Sequence, residues 1–168
     1  MSKIALERAE KTAEAIVKYL APYCKRAADG RVFIEVAGSI RRRKPWVNDI
    51  DIVLIPSDPW DLHQEILKLC RPFSPKLSGQ KIMRIDVNGI GVDLYFASEE
   101  TWATLLLIRT GAKESNIKLC TLAKKKGWHL AASGDGLFNE NGQRIAGDSE
   151  ESIYQALDLP YQRPEERG

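Results

Sequence analysis

The chain has little of what many enzymes and secreted proteins rely on. Three cysteines, Cys24, Cys70 and Cys120, are odd in number and lack metal-ligand spacing. That excludes a disulfide framework and a cysteine zinc site, and the thiols read as reduced core groups of a cytosolic protein. Only two histidines occur, His63 and His129, isolated from each other and better suited to surface or packing roles than to catalysis. No run of eighteen apolar residues is present, which excludes a membrane-spanning helix. Met1-Ser2-Lys3 lacks the apolar stretch of a secretory leader, so a cytoplasmic protein is expected. A strong excess of one charge is also missing. The formal net charge is +2, too small for a wholesale electrostatic grip on nucleic acid but compatible with a local basic track.

What is present suits one respectable core. With 168 residues and 43% hydrophobic content, the chain fits one domain or two small lobes. Leu6, Ala9, Ala13, Ile16, Val17, Leu20 and Cys24 recur at three- and four-residue steps, predicting a helix that Asp29-Gly30 closes. Strands are predicted over Val32–Val36 and Ile50–Ile55. Asp58 and Pro59 predict a helix start, as N-cap and first helical residue, with the helix running to about Cys70. Two alternating runs, residues 81–87 and 90–96, flank Asn88-Gly89, the pair that favours a tight hairpin. Beyond residue 98 the character turns helical, to Arg109 and then from Lys113 to Lys126 with Gly127 after it. A small hairpin over 128–138, a helix opened by Asp148-Ser149-Glu150-Glu151 and a polar tail beyond Pro160 complete the reading. The expected class is α+β, with a mixed α/β lobe over 1–97 and a smaller, mainly helical lobe over 98–168.

The most informative stretch is Gly38-Ser39-Ile40-Arg41-Arg42-Arg43-Lys44, followed by Asp49-Ile50-Asp51 at the head of an apolar run. Residues two apart on a strand share a face, roughly 7 Å from each other. Asp49 and Asp51 would thus project side by side, and like charges so held do not both ionise without compensation. A divalent cation supplies that compensation, and Mg²⁺ prefers carboxylate and phosphate oxygens. Asp93, flanked by Val92 and Leu94 on a later strand, faces away from the apolar side and is the natural third carboxylate. Phosphate-sized turn, cations and paired aspartates together point to phosphoryl or nucleotidyl transfer. Asp86, near its hairpin turn, reads as a solvated residue.

These residues resemble the nucleotidyltransferase superfamily, and in particular the X family of DNA polymerases. The likeness extends to Thr110-Gly111-Ala112-Lys113-Glu114-Ser115-Asn116 and to the stretch from Arg144-Ile145-Ala146-Gly147 through Leu159-Pro160-Tyr161. It implies a nucleotidyltransferase-type palm over 1–97, with flanking helices, and a thumb-like lobe over 98–168. It also implies that Asp49, Asp51 and Asp93 hold two Mg²⁺ ions, with Mn²⁺ as a substitute, and serve as the catalytic set. Gly38, Ser39 and Arg42 would bind the phosphates of the incoming nucleotide, Thr110 and Gly111 its sugar, and Asn116 its base edge. Arg41, Arg109, Lys113 and Lys118 would meet DNA.

The expected activity is addition of dNMP to a primer 3′-hydroxyl, on primer-template or gapped DNA, in short-gap repair. The expected protein is a monomer, with a ligase or other repair protein as partner. The family's aromatic pair before Thr-Gly is here Ile108-Arg109, and Cys120 stands where many members carry arginine. The family's N-terminal lyase domain has no counterpart ahead of the first helix, so no lyase activity is expected. Two other classes fit parts of the pattern: a nucleotidyltransferase acting without template, on an RNA end, small molecule or protein, and a nucleic-acid-binding module with a degenerate site.

Overall fold

Pro22 decides where the first helix stops. In the computed structural model, which describes residues 3–168, β1 (Ile4–Ala5) leads straight into α1 (Leu6–Leu20). The apolar spacing runs on to Cys24, but the Pro22 ring lacks a donor and crowds the carbonyl one turn back. The chain tightens instead into a single 3-10 turn, Ala21–Tyr23. Ala9, Ala13, Ile16 and Leu20 form the buried face of α1, as their spacing predicts.

Next come β2 (Ile34–Val36), α2 (Gly38–Arg41), β3 (Trp46–Val47) and β4 (Ile50–Leu54). The expected Gly38-Ser39 turn is in fact the start of α2, one helical turn long. Helix α3 (Pro59–Cys70) begins as predicted, with the Asp58 side chain accepting from the backbone N–H groups of Trp60 and Asp61. It is followed by β5 (Leu77–Ser78), β6 (Ile82–Val87) and β7 (Ile90–Phe96). Asn88 and Gly89 both take positive φ, 53° and 79°, the left-handed geometry that a two-residue hairpin turn needs.

The main sheet has the order β2-β4-β7-β6-β5, and its one parallel contact joins β4 to β7. Strand alternation then sorts the side chains. Ile50, Ile52, Leu54, Val92 and Leu94 enter the core beneath α1 and α3. Val53 and Tyr95 lie on the other face, against Leu105 and Leu106 of α4 (Trp102–Thr110). Asp51 and Asp93, each two residues from one of that pair, share this second face.

Helix α4 is buried almost throughout, including Thr104 and Thr110. An all-round buried helix needs cover on both sides. Leu105 and Leu106 face the sheet, while Leu107 and Ile108 enter a further core with Leu119, Leu130, Leu137, Ile153 and Tyr154. That core is built from α5 (Lys113–Lys125), β8 (His129–Ala131), β9 (Gly136–Phe138), β10 (Arg144–Ala146) and α6 (Glu150–Ala156). The expected hairpin is thus a three-stranded sheet, ordered β10-β9-β8. The third strand escapes sequence reading because it is three residues long and shifts register between Arg144 and Ala146. Ser149 caps α6 as predicted, with Ser152 as the reciprocal partner.

The tail is ordered rather than merely polar. A 3-10 turn at Pro164–Glu166 returns Arg167 to the interior, where it is 1% exposed. Its carbonyl accepts from the N–H of Ala112, just ahead of α5. Among the described residues, no helix is long and apolar enough to cross a membrane.

Candidate active site

A cleft of about 410 Å³ opens where α2, the head of β4 and the α4–α5 junction meet. Gly38, Ser39, Arg42, Asn48, Asp49 and Asp51 line one side, with Ile108, Arg109, Gly111, Ala112, Lys113 and Asn116 on the other and Tyr95 at the base. Most of the predicted site residues therefore come together. Asp93 lies beside the cleft rather than in its lining, and its Cα is the register partner of Asp51 across the β4–β7 ladder.

Gly38 sits over Asp51 with φ of +61°, and a Cβ there would stand 2.9 Å from the Asp51 carboxyl carbon. A Cβ on Gly91 would likewise stand 2.9 Å from Asp49 Oδ1. Glycines at both positions leave the carboxylates their space. Burial, the charge of Asp93 and, less strongly, that of Asp49 push Asp51 up to about 6, although the Tyr95 hydroxyl works the other way. Asp93 is raised chiefly by burial, against the pull of Arg84, whose Nε lies 3.2 Å from its Oδ1. The Tyr95 hydroxyl stands 3.3 Å from Asp51 Oδ1 and 3.5 Å from Asp93 Oδ2. Burial and these two carboxylates raise the Tyr95 phenol well above its ordinary value. The Arg109 guanidinium covers its ring at 4.3 Å from the centroid.

Arg42 reaches across from the carboxylate side of the cleft, and Asn116 braces the other side. Arg42 donates to the Thr110 carbonyl at 2.8 Å, while its buried Nε has no partner. Burial lowers the Arg42 pKa against the favourable charge of Asp51. Asn116 donates to the carbonyls of Ile108 and Gly111, and its buried Oδ1 has no partner. A buried polar atom without a partner is costly, so both positions carry an energetic penalty.

Three predicted residues stand elsewhere. Arg41, expected at DNA, is instead the strut between α2 and α6. It donates to Glu150 Oε1 at 2.7 Å, Glu150 Oε2 at 3.1 Å and Thr110 Oγ1 at 2.9 Å. Burial opposes its charge, but Glu150 outweighs that and raises the Arg41 pKa. Thr110, expected beneath a sugar, is fully buried and braces the two arginines. Lys118 faces a separate groove with Pro160 and Gln162. Sequence reading missed Tyr95, Arg84, Glu150 and Arg167. Only Tyr95 had a local signal, as the second residue after Asp93 on the same strand face.

Among the described residues, no three acidic, cysteine or histidine side chains stand as a ready-made cluster around one ion. Asp93 leans to Arg84, and Asp51 lies between Gly38 and Tyr95. The donor set nonetheless fits a hard divalent cation. It offers carboxylate oxygens in space kept open by two glycines, and Asp51 carries under-compensated negative charge.

Fold and cleft together describe a mixed α/β lobe that carries the carboxylates, joined to a small second lobe. Residues 105–168 match the family described as DNA polymerase beta thumb. The chain is 30% identical over 134 residues to the DNA polymerase/3′-5′ exonuclease PolX of Bacillus subtilis, covering 78% of this chain and 23% of that protein. Its fold matches polymerase beta of Leishmania infantum, solved as a ternary P/T complex, with a TM-score of 0.80 at 20% identity. That match covers 99% of this chain and 77% of the other. The chain thus resembles family X polymerases, with a fold like the palm and thumb of polymerase beta, and spans about a quarter of the length of the PolX it matches.

Proposed function

We propose that the chain is a template-directed DNA polymerase, adding dNMP to a primer 3′-hydroxyl with release of pyrophosphate, and filling short gaps in DNA repair. One observation carries the reading. Asp51 and Asp93 are paired across parallel strands, and they border a cleft that Arg42 and Asn116 also line. Carboxylates, a guanidinium and an amide around one cleft suit a metal-bound nucleoside triphosphate. The likeness of residues 105–168 to a polymerase thumb favours a polymerase over other nucleotidyltransferases.

In this reading Asp49, Asp51 and Asp93 hold two Mg²⁺ ions, or Mn²⁺ in their place. Bound there, the ions supply charge stabilisation at the attacking and leaving oxygens. The primer oxygen attacks the α-phosphorus, the bond to the bridging oxygen breaks, and Asp93 accepts the hydroxyl proton. Gly38 and Ser39 bind phosphate oxygens, and the Arg42 guanidinium neutralises them. Gly111 lets the sugar approach closely, and Asn116 turns its free Oδ1 or its amide to the base edge. Arg109, Lys113 and, farther off, Lys118 meet DNA phosphates.

The lobe boundary falls near 97/98, and the protein acts as a cytoplasmic monomer with a ligase or other repair protein. Ile108-Arg109 in place of an aromatic pair relaxes discrimination between dNTP and rNTP. Extension on a one-nucleotide gap, with each dNTP and rNTP, tests the reading alongside untemplated labelling of single strands and RNA. Incorporation that follows the template base supports it. Incorporation independent of template replaces it with a template-free nucleotidyltransferase, and DNA binding without incorporation with a binding module.

A further inference from the structure

Resting on the functional reading above, we propose that Tyr95 is a positioning residue. Its hydroxyl orients Asp51 and Asp93 for a divalent cation, and Arg109 clamps its ring. Strand alternation puts Tyr95 on the same face as Asp93, and its register partner Val53 lies two residues beyond Asp51. The hydroxyl is thereby brought within 3.3 Å of one carboxylate and 3.5 Å of the other.

The ring has no room to swing. It packs with Ala37, Val53, Leu105 and Leu106, and the Arg109 guanidinium lies over it. The scaffold, not the carboxylates, therefore fixes where the hydroxyl stands. A carboxylate offers about four lone-pair sites, so a hydrogen bond on one oxygen leaves the others for a cation. Arg84, the other donor to Asp93, has a half-exposed side chain and is free to withdraw. Tyr95 stays. One hydroxyl can serve only one acceptor at a time, and sharing it keeps both carboxylates aimed at the same spot. Donors that orient ligating carboxylates typically contribute about 10–100-fold in metal affinity.

Tyr95→Phe removes the hydroxyl and keeps the ring. The test is Mn²⁺ binding to the free protein, without DNA or nucleotide, followed by electron paramagnetic resonance, with Asp51→Asn as the reference for the centre. We expect wild type to bind Mn²⁺, Asp51→Asn to lose it, and Tyr95→Phe to bind about tenfold more weakly with its melting temperature in EDTA unchanged. Arg109→Lys, which keeps the positive charge near the carboxylates but loses the planar guanidinium over the ring, should weaken binding in the same direction. Equal or tighter binding by Tyr95→Phe, beside Asp51-dependent binding in wild type, overturns the positioning role and leaves the functional reading standing. Absence of Asp51-dependent binding in wild type overturns both. Unchanged affinity in Arg109→Lys overturns the clamp.

Discussion

The carboxylate of Asp51 fills the space that a side chain at Gly38 would need. The positive φ of Gly38 adds backbone strain for any other residue there. Gly38→Ala should therefore push Asp51 off its place and cut templated extension at least 100-fold. The accompanying stability loss should be only about 1–3 kcal/mol. Urea unfolding and single-turnover extension on the same preparation separate the two effects. Near-normal turnover in the variant would show that Asp51 need not stay where it is.

Asp51 gives a pH prediction. Its folded-state pKa of about 6 lies above the ordinary 3.8. Between those values the folded chain holds a proton that the unfolded chain has released, so stability falls as pH rises from about 4 to about 6 and is level beyond. Asp51→Asn removes that penalty. In EDTA at pH 7.5 it should be more stable than wild type by at most about 3 kcal/mol, a gap that closes near pH 4. Denaturant titrations at the two pH values check it, and a variant no steadier than wild type at pH 7.5 contradicts it.

Glu150 joins α6 to the rest of the molecule through charge. It is 8% exposed and accepts from Arg41 and from Arg167, whose guanidinium also lies 5.5 Å from the ring centroids of Tyr154 and Tyr161. Glu150→Ala strands the buried Arg167 and the partly buried Arg41 and should cost about 3–5 kcal/mol. Adding Arg167→Ala should cost little more, because the two share one network. Simple additivity in a double-mutant cycle would argue against a connected network.

The thiols differ in reactivity. Burial pushes Cys24 up to about 12, and Cys70 is buried as well, whereas Cys120 is partly open beside Lys124. Iodoacetamide at pH 8 should label only Cys120 in the folded protein, and all three in urea. Mass spectrometry of the digests reads this directly, and early labelling of Cys24 would mean that the region around α1 opens.

Much of this architecture is legible locally. Asp58-Pro59 announces α3 through the backbone donors that an aspartate can cap, and Asn88-Gly89 announces the hairpin through positive φ. The alternation of aspartates with aliphatic residues places Asp51 and Asp93 off the main core face, because the period of a strand is fixed. Contacts between distant segments are another matter. Arg41 reads as one cation of a basic run, since its partner Glu150 is 109 positions away and itself resembles an ordinary helix-start acid. Arg167 sits in a stretch of prolines and charges that suggests a loose tail, and only the returning turn at Pro164–Glu166 buries it. Tyr95 reads as strand filling until the fold shows its hydroxyl between two carboxylates.

Helix α4 gives one hydrophobic flank to each lobe, with Leu105 and Leu106 on one side and Leu107 and Ile108 on the other. Neither half can be excised cleanly. A fragment ending before the helix would bare Val53 and Tyr95 to solvent, and one beginning with it would carry a greasy, unpaired stripe. Expressed separately, the halves should clump, and mixing them should restore solubility.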